Sequence, residues 1–332
     1  MKEAHIIMEK LFENIKIGQL LLSNRLVMPP MATGKAAEGD NVTEEVCNYY
    51  RERARYSKIG LIITEHSYIN MQGKAHPGQV SIAMDENIPG FQKLVECVHG
   101  EGVKIIAQIS HAGTASTSKV TGQASVGPSA VYHPKQKDEL PEEMTVQQIN
   151  EVTKWFADAA LRAKKAGFDG VEIHSAHGYL LNQFYSPLTN KRNDEYGIQS
   201  VENRTRFHCD VIRAVRETVG NEFVIAIRLG GCDYEASGST VEDCIEACKI
   251  FEKNGVDLID ITGGMNGFVR PGHAEPGYFQ DMSISVKKAV SIPVILTGGV
   301  TTLAQAETLI DQGCADMIGV GRAIFKNAHW AD

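Results

Sequence analysis

The chain has 332 residues, of which 43% are hydrophobic and 22% are charged, a composition typical of a globular protein and not of a disordered or fibrous one. A formal net charge of -8, with no run of Lys or Arg, argues against a nucleic-acid partner, because binding the phosphate backbone needs a basic face. No segment approaches the ~20 apolar residues of a membrane span, so we expect no membrane partner, a small-molecule substrate and a cytoplasmic location.

Short apolar runs alternate with longer amphipathic stretches, in the order β then α, which predicts a parallel sheet or barrel. Before them, Leu11–Leu22 alternates apolar and polar residues around Gly18, which predicts a small hairpin that caps the bottom of the barrel. The eight predicted strands are Leu26–Pro30, Leu61–His66, Lys104–Ile109, Gly170–His174, Phe223–Leu229, Leu258–Ile261, Pro293–Thr297 and Asp316–Val320.

Eight βα units favour a closed (β/α)8 TIM barrel over a doubly wound open sheet, because about 300 residues leave no room for a second domain. We therefore predict a single domain over residues 1–332. The stretch His111–Met144 is rich in Ser, Gly, Pro and Lys and has no clear periodicity, so it is predicted to be a long excursion after the third strand.

Two glycine turns follow the seventh and eighth predicted strands, where barrels commonly hold a phosphate. Gly298 and Gly299 follow Thr297, and Gly321 precedes Arg322. Glycines let backbone N–H groups approach a phosphate, and an arginine can bind it with two hydrogen bonds. Ordinary turn glycines are the alternative, but the two turns together at these strands favour phosphate binding.

Two polar side chains stand at the carboxyl ends of other predicted strands. Arg228 ends the fifth strand after an apolar run, so its charge needs an anionic or polar partner, such as a flavin that becomes negative on reduction. Gln108 ends the third strand, and its amide can both donate and accept hydrogen bonds, as the edge of a pyrimidine requires. Either residue can instead be a satisfied polar group of the core.

His174, His177 and Tyr179 follow the fourth strand closely enough to line one wall of the barrel mouth. Neutral imidazole N–H groups can bind a carbonyl oxygen, and a tyrosine hydroxyl can deliver a proton to a neighbouring carbon. The two histidines lack a third ligand at a telling spacing, so no metal site is predicted. Packed core histidines are the remaining alternative.

Several motifs occur together over nearly the whole chain. They are Asn24-Arg-Leu-Val-Met-Pro-Pro-Met31, Gln108 with His111-Ala-Gly113, His174-Ser-Ala-His177-Gly-Tyr179, Ser186-Pro-Leu-Thr-Asn-Lys-Arg192, Asp194-Glu-Tyr-Gly197, Glu202-Asn-Arg-Thr-Arg-Phe207, Arg228 and Gly319-Val-Gly-Arg322. This combination closely resembles the old yellow enzyme family, which are FMN-dependent oxidoreductases (NADH:flavin oxidoreductases or ene-reductases).

The resemblance implies a set of FMN contacts in this chain. Backbone after the first strand would touch the flavin ring, polar side chains would bind its pyrimidine end, and the two glycine turns would hold its phosphate. The residues so assigned are Pro30, Met31, Ala32, Gln108, Arg228, Gly299, Gly321 and Arg322. Gly298 of the first glycine turn and His66, which is particular to this chain, complete the predicted cofactor contacts.

The resemblance also implies a reaction. His174 and His177 would bind the carbonyl oxygen of an activated alkene, reduced flavin would give hydride to the β-carbon, and Tyr179 would protonate the α-carbon. NAD(P)H would re-reduce the flavin at the same site. The alternatives are a flavin reductase, an oxidative demethylase or deaminase on the same barrel, and an FMN-binding protein without turnover. His273 is either a second acid or a solvated side chain, and a homo-oligomer is one of the assembly states left open.

This chain departs from its apparent relatives at four places. Ala32 stands where relatives often have Cys or Thr, which predicts a shifted flavin potential, and His66 stands where many have Ala or Gly, so it is expected near the ring. Gly34 replaces an aromatic substrate contact, which predicts a roomier pocket. The sequence ends at Asp332, soon after Arg322, so we expect either a truncated chain or a reduced closure of the barrel.

Overall fold

The first two strands form a short hairpin, and most of the later strands form a barrel. In this computed structural model, which describes residues 10–36 and 39–332, the strands are β1 (Ile15–Ile17), β2 (Leu20–Leu22), β3 (Leu26–Met28), β4 (Leu61–Ile63), β5 (Ser67–Tyr68), β6 (Lys104–Ser110), β7 (Val126–Gly127), β8 (Glu142–Glu143), β9 (Gly170–Ser175), β10 (Val224–Cys232), β11 (Leu258–Gly263), β12 (Val294–Thr297) and β13 (Met317–Gly319).

The helices alternate with the barrel strands, as the βα pattern predicts. They are α1 (Glu44–Tyr56), α2 (Ile88–His99), α3 (Ser118–Thr121), α4 (Val146–Lys165), α5 (Leu180–Tyr185), α6 (Val201–Val219), α7 (Val241–Lys253), α8 (Gln280–Lys287), α9 (Leu303–Asp311) and α10 (Arg322–Lys326). In the described ranges, no helix combines the length and the apolar character that crossing a membrane requires.

Eight parallel strands close into a barrel. Their order around it is β4, β3, β13, β12, β11, β10, β9 and β6, and pairing of β4 with β6 closes the ring. All eight predicted strands are therefore confirmed, with small differences at their ends. The largest differences at one end, of three residues, are in β4, which ends at Ile63 and not at His66, and in β10, which continues to Cys232 through an irregularity in its pairing with β11 between Gly230 and Cys232.

The hairpin of β1 and β2 is also confirmed, and its position explains its apolar side chains. Ile17 and Leu22 are buried in a cluster with residues near the beginnings of barrel strands, including Val224, Leu258 and Met317. The hairpin therefore covers the bottom of the barrel and removes these side chains from water, which leaves the opposite end for a ligand.

Most of the remaining core lies between the strands and the surrounding helices. Strands such as β9 and β11 are buried at every position, which explains why they appear in the sequence as near-continuous apolar runs. The excursion at 111–144 contains a 3-10 turn at Gly113–Ala115, the short helix α3 and the short paired strands β7 and β8, in keeping with its lack of periodicity.

Candidate active site

A cavity of about 520 Å³ opens at the carboxyl ends of the barrel strands, a size usual for sites that bind small molecules. Twelve of the thirteen residues predicted from the sequence line it. They are Pro30, Met31, Ala32, His66, His174, His177, Tyr179, Arg228, Gly298, Gly299, Gly321 and Arg322.

Gln108 is the predicted residue that does not line this cavity. It is 1% exposed, and its Nε2 donates a 2.7 Å hydrogen bond to Oε1 of Glu172 on the neighbouring strand. Within the described ranges its own Oε1 accepts no hydrogen bond. This oxygen is therefore the atom that could accept a hydrogen bond from a pyrimidine N–H, as the sequence predicts.

The chain turns sharply between His174 and Tyr179. His174 lies in β9, whereas His177 adopts a left-handed backbone with φ of 59° and Tyr179 is the cap residue before α5. Gly178, with φ of 77°, has no room for a side chain, because a Cβ atom would lie 2.3 Å from Nε2 of His133. This turn brings three rings together: the centroid of His174 is 5.4 Å from that of His177 and 4.6 Å from that of Tyr179.

Both histidines of this wall are neutral. Burial lowers the pKa of His174 and of His177 well below the usual histidine value, and the neighbouring Arg228 lowers both further. Nε2 of His177 lies 3.0 Å from Oγ1 of Thr262, whereas Nδ1 of His174 has no hydrogen-bond partner among the described residues. A buried ring nitrogen without a partner is costly, so His174 is suited to bind a ligand atom.

Tyr179 is a protonated phenol at neutral pH. Burial raises its pKa to about 12, and its hydroxyl oxygen lies 3.4 Å from Nε2 of His66. A group with this pKa can release its proton only to a strong base, such as a carbanion formed within the site.

Arg228 lines the cavity from strand β10. It is 3% exposed, and its Nε is 3.3 Å from Oδ2 of Asp260. Glu172 is fully buried close by, and burial together with the Asp260 charge raises its pKa well above the usual value. Neither carboxyl group is recognisable as functional from the sequence, because each lies within a run of apolar residues typical of the core.

The glycine turn after β12 also lines the cavity. Gly298 has φ of 141° and Gly299 has φ of 71°, conformations that favour glycine. A Cβ on Gly298 would lie 2.7 Å from the ring of Tyr278, whose hydroxyl is 3.5 Å from Nη2 of Arg322. This is an arrangement of open backbone and guanidinium that suits a phosphate.

The loop after β3 is anchored to the barrel by a carboxylate. Glu65 accepts hydrogen bonds from the backbone N–H of Thr33 at 2.9 Å and from its hydroxyl at 2.7 Å. The backbone N–H of Glu65 in turn donates a 2.7 Å hydrogen bond to the hydroxyl oxygen of Tyr50. The preceding residue, Ala32, is thereby held at the cavity wall.

Other cavity residues come from irregular loops and were not found from the sequence. Lys135 belongs to the long excursion, and Phe268 and Tyr278 belong to the loop after β11. No periodic signal marks such positions. His273 is exposed, pairs with Glu275 at 2.6 Å and does not line the cavity, which favours the reading of a solvated side chain.

These features fit one kind of ligand. A phosphate cradle, a buried guanidinium and a wall of neutral imidazoles lie along a single cavity at the mouth of a barrel, and the buried amide of Gln108 lies on a strand of the same barrel outside the cavity lining. They define the class of flavin-binding (β/α)8 barrels.

The chain belongs to the NADH:flavin oxidoreductase / NADH oxidase family, whose family model matches residues 10–332. It is 39% identical over 326 residues to the NADH oxidase of Thermoanaerobacter brockii, an alignment that covers 96% of this chain and 50% of that protein. It is 35% identical over 322 residues to the NADPH dehydrogenase of Halalkalibacterium halodurans, covering 97% and 92%.

The structure is similar to that of the old yellow enzyme homologue from Zymomonas mobilis, with a TM-score of 0.84 and 30% identity over 96% of this chain and 90% of that one. The resemblance to the old yellow enzyme family is therefore confirmed. The chain spans about half the length of some curated relatives that it matches, the Thermoanaerobacter protein among them.

Proposed function

We propose that this chain binds FMN and reduces a C=C bond conjugated to a carbonyl or a related electron-withdrawing group, with NAD(P)H as the electron donor. The observation that carries the proposal is the position of two neutral histidines and a protonated tyrosine on one wall of a cavity whose far end can hold a phosphate. Relatives named NADH oxidase and NADPH dehydrogenase support the nicotinamide donor.

Most of the residues that would hold FMN line the cavity, and Gln108 lies outside its lining. Gly299, Gly321 and Arg322 would bind its phosphate, and Arg228 with Gln108 would bind its pyrimidine end. When bound, FMN supplies the hydride that NAD(P)H has given to it. A guanidinium beside the pyrimidine stabilises negative charge there, which favours the reduced flavin.

His174 and His177 would bind the carbonyl oxygen of the alkene substrate. Because burial keeps both rings neutral, each offers an N–H donor without placing a second full charge beside Arg228. Hydrogen bonds to this oxygen draw electron density from the C=C bond and stabilise the negative charge that develops when the β-carbon receives hydride.

Tyr179 would then supply the proton. Its O–H bond breaks and a C–H bond forms at the α-carbon, where the electron pair of the enolate is located. A phenol with a pKa of about 12 stays protonated until this base forms, so protonation follows activation of the substrate and does not precede it.

The test is an anaerobic stopped-flow experiment that separates the two half-reactions. Enzyme whose flavin has been reduced with NADH or NADPH is mixed with 2-cyclohexenone or with dioxygen, and enzyme whose flavin is oxidised is mixed with an amine substrate. We expect reoxidation by the enone, slowed about 10²- to 10⁴-fold in Tyr179→Phe. Reduction of the oxidised flavin by the amine, without reoxidation of the reduced flavin by the enone, would instead support the demethylase or deaminase alternative. Reoxidation by dioxygen but not by the enone would support the flavin-reductase alternative.

The cofactor is tested separately. Heating the purified yellow protein and separating the released flavin should yield FMN and no FAD. Release of FAD, or a colourless protein that does not take up FMN, would contradict the proposed cofactor.

A further inference from the structure

His66 is a cavity residue for which the proposed reaction has no role. It follows β4, and its ring lies between three others at the cavity wall. Its centroid is 5.3 Å from that of Tyr179 and 6.2 Å from that of His174, to which it is nearly parallel at 14°. On its other side, His76 lies edge-on at 5.6 Å.

Gln79 determines which ring nitrogen of His66 carries the proton. The Oε1 atom of Gln79 accepts a 2.6 Å hydrogen bond from the backbone N–H of Ala75, and its Nε2 donates to the carbonyl oxygen of His66 at 3.1 Å. These two contacts establish the orientation of the amide, because neither backbone group could be satisfied if it were reversed. Gln79 is 1% exposed, so water does not compete for these bonds.

The same Nε2 of Gln79 lies 2.6 Å from Nδ1 of His66. Since this Nε2 is a donor, Nδ1 must be an acceptor and carry no proton. Burial lowers the pKa of His66 to about 3, with smaller effects of His76 and Arg228 in the same direction, so the ring is neutral. A neutral imidazole has one N–H, which is therefore at Nε2.

Nε2 of His66 faces the hydroxyl oxygen of Tyr179 at 3.4 Å. This separation is at the long end of the hydrogen-bond range, as is common for catalytic contacts before a ligand is bound. With an N–H directed at it, the oxygen of Tyr179 acts as an acceptor, and its own hydrogen must point elsewhere. The remaining direction is toward the cavity.

We propose that His66 is a positioning residue that directs the Tyr179 proton at the substrate and then donates a hydrogen bond to the phenolate that remains. The inference rests on the proposed role of Tyr179 as the acid. In the step, the O–H bond of Tyr179 breaks, the carbanion electron pair forms the new C–H bond, and the negative charge left on the phenolate oxygen is shared with Nε2–H. A solvent proton later restores the phenol.

The first experiment measures flavin reoxidation by 2-cyclohexenone in anaerobic stopped flow for His66→Ala and His66→Gln holoenzymes. Loss of a hydrogen bond to a charged oxygen predicts a rate about 10- to 100-fold lower for His66→Ala. His66→Gln, whose amide N–H can occupy the place of Nε2–H, should recover most of the rate. His76→Gln is the matched control, because His76 touches His66 but does not line the cavity, and it should not change the rate.

The second experiment repeats His66→Ala in the Tyr179→Phe background. If His66 acts through the tyrosine hydroxyl, the second substitution should cause no further loss, because the group that it directs is gone. An equal loss in both backgrounds would show that His66 acts on the flavin or on packing and would overturn the inference. So would a wild-type rate in His66→Ala.

A spectroscopic readout is independent of turnover. In holoenzyme labelled with 15N-histidine, two-bond correlations to the ring protons report which nitrogen is protonated, and His66→Gln identifies the signal. We expect the proton of His66 on Nε2, and its presence on Nδ1 would overturn the proposal. If Tyr179→Phe itself retained the full rate, the acid assignment would fail instead, which separates the two proposals.

Discussion

Arg228 and Asp260 face each other on adjacent strands of the barrel, with Nε of the arginine 3.3 Å from Oδ2 of the carboxylate. Both are almost completely enclosed, at 3% and 0% exposure. Asp260 also accepts a 3.3 Å hydrogen bond from Thr297, which lines the cavity. The pair therefore connects the base of the cavity to the interior of the barrel and holds the guanidinium in place for a ligand.

Replacing Arg228 by Met should weaken both FMN binding and the fold. The buried charge of Asp260 loses its partner, which typically costs about 3–5 kcal/mol of unfolding free energy. Urea unfolding of the flavin-free protein measures this loss, and fluorescence titration measures FMN affinity. Adding Asp260→Asn should restore part of the stability but not the affinity, and full recovery of affinity would contradict the proposed role of the guanidinium.

Ala32→Cys should shift the midpoint potential of the flavin, because a thiol would enter the cavity where wild type offers only a methyl group. Spectroelectrochemical titration compares the two proteins. Ala36→Cys is the control, since it adds the same thiol in the same loop but outside the cavity lining. An unchanged potential in Ala32→Cys would show that this position does not influence the flavin.

Gly299→Ala should lower FMN affinity by at least about tenfold, or about 1.4 kcal/mol. The residue has φ of 71°, and a Cβ would lie 2.6 Å from the carbonyl oxygen of Glu275, so the phosphate turn must move. Gly313→Ala is a matched control, because it has φ of 72° with no atom within 4 Å of the added Cβ. It should lose stability from backbone strain but keep FMN affinity. Equal FMN affinities in the two variants would count against the turn as a phosphate site.

Stability should fall as the pH is lowered from about 6.5. Burial lowers the pKa of His208 to about 3, while its Nε2 lies 2.7 Å from Oγ of Ser175. The unfolded chain, in which histidine has a pKa of about 6.5, then binds more protons than the folded one between these two values, so protonation favours unfolding. His66 and His111 shift in the same direction.

The contribution of one such group can be measured with His208→Gln. This variant should show a shallower loss of unfolding free energy between about pH 7 and pH 5, by up to about 1.4 kcal/mol per pH unit below the unfolded pKa. Urea unfolding at several pH values provides the slope. His329→Gln, at an exposed histidine paired with Asp332, should leave the slope as in wild type. A slope in His208→Gln equal to that of wild type would contradict the assignment.

The barrel and most of the cavity lining could be predicted from the sequence for a simple physical reason. Strands buried on both faces appear as apolar runs, and closing them in parallel brings all their carboxyl ends to one side. Arg228, His174 and Gly298 each follow or end such a run, so their meeting in one cavity follows from the order of elements. Gln108 also follows an apolar run, but β6 continues past it to Ser110, and its amide pairs with Glu172 outside the cavity lining.

The sequence by itself determined the order of the barrel strands, the hairpin that covers the bottom and the glycine turns at the top, since these depend on periodicity and on local backbone freedom. Only the tertiary structure decided which partners these residues have. Asp260 meets Arg228 through strand register, and Gln79 meets His66 through the path of an irregular loop. Such contacts depend on packing between distant segments, and packing also lowers the histidine pKa values, because it removes the rings from water.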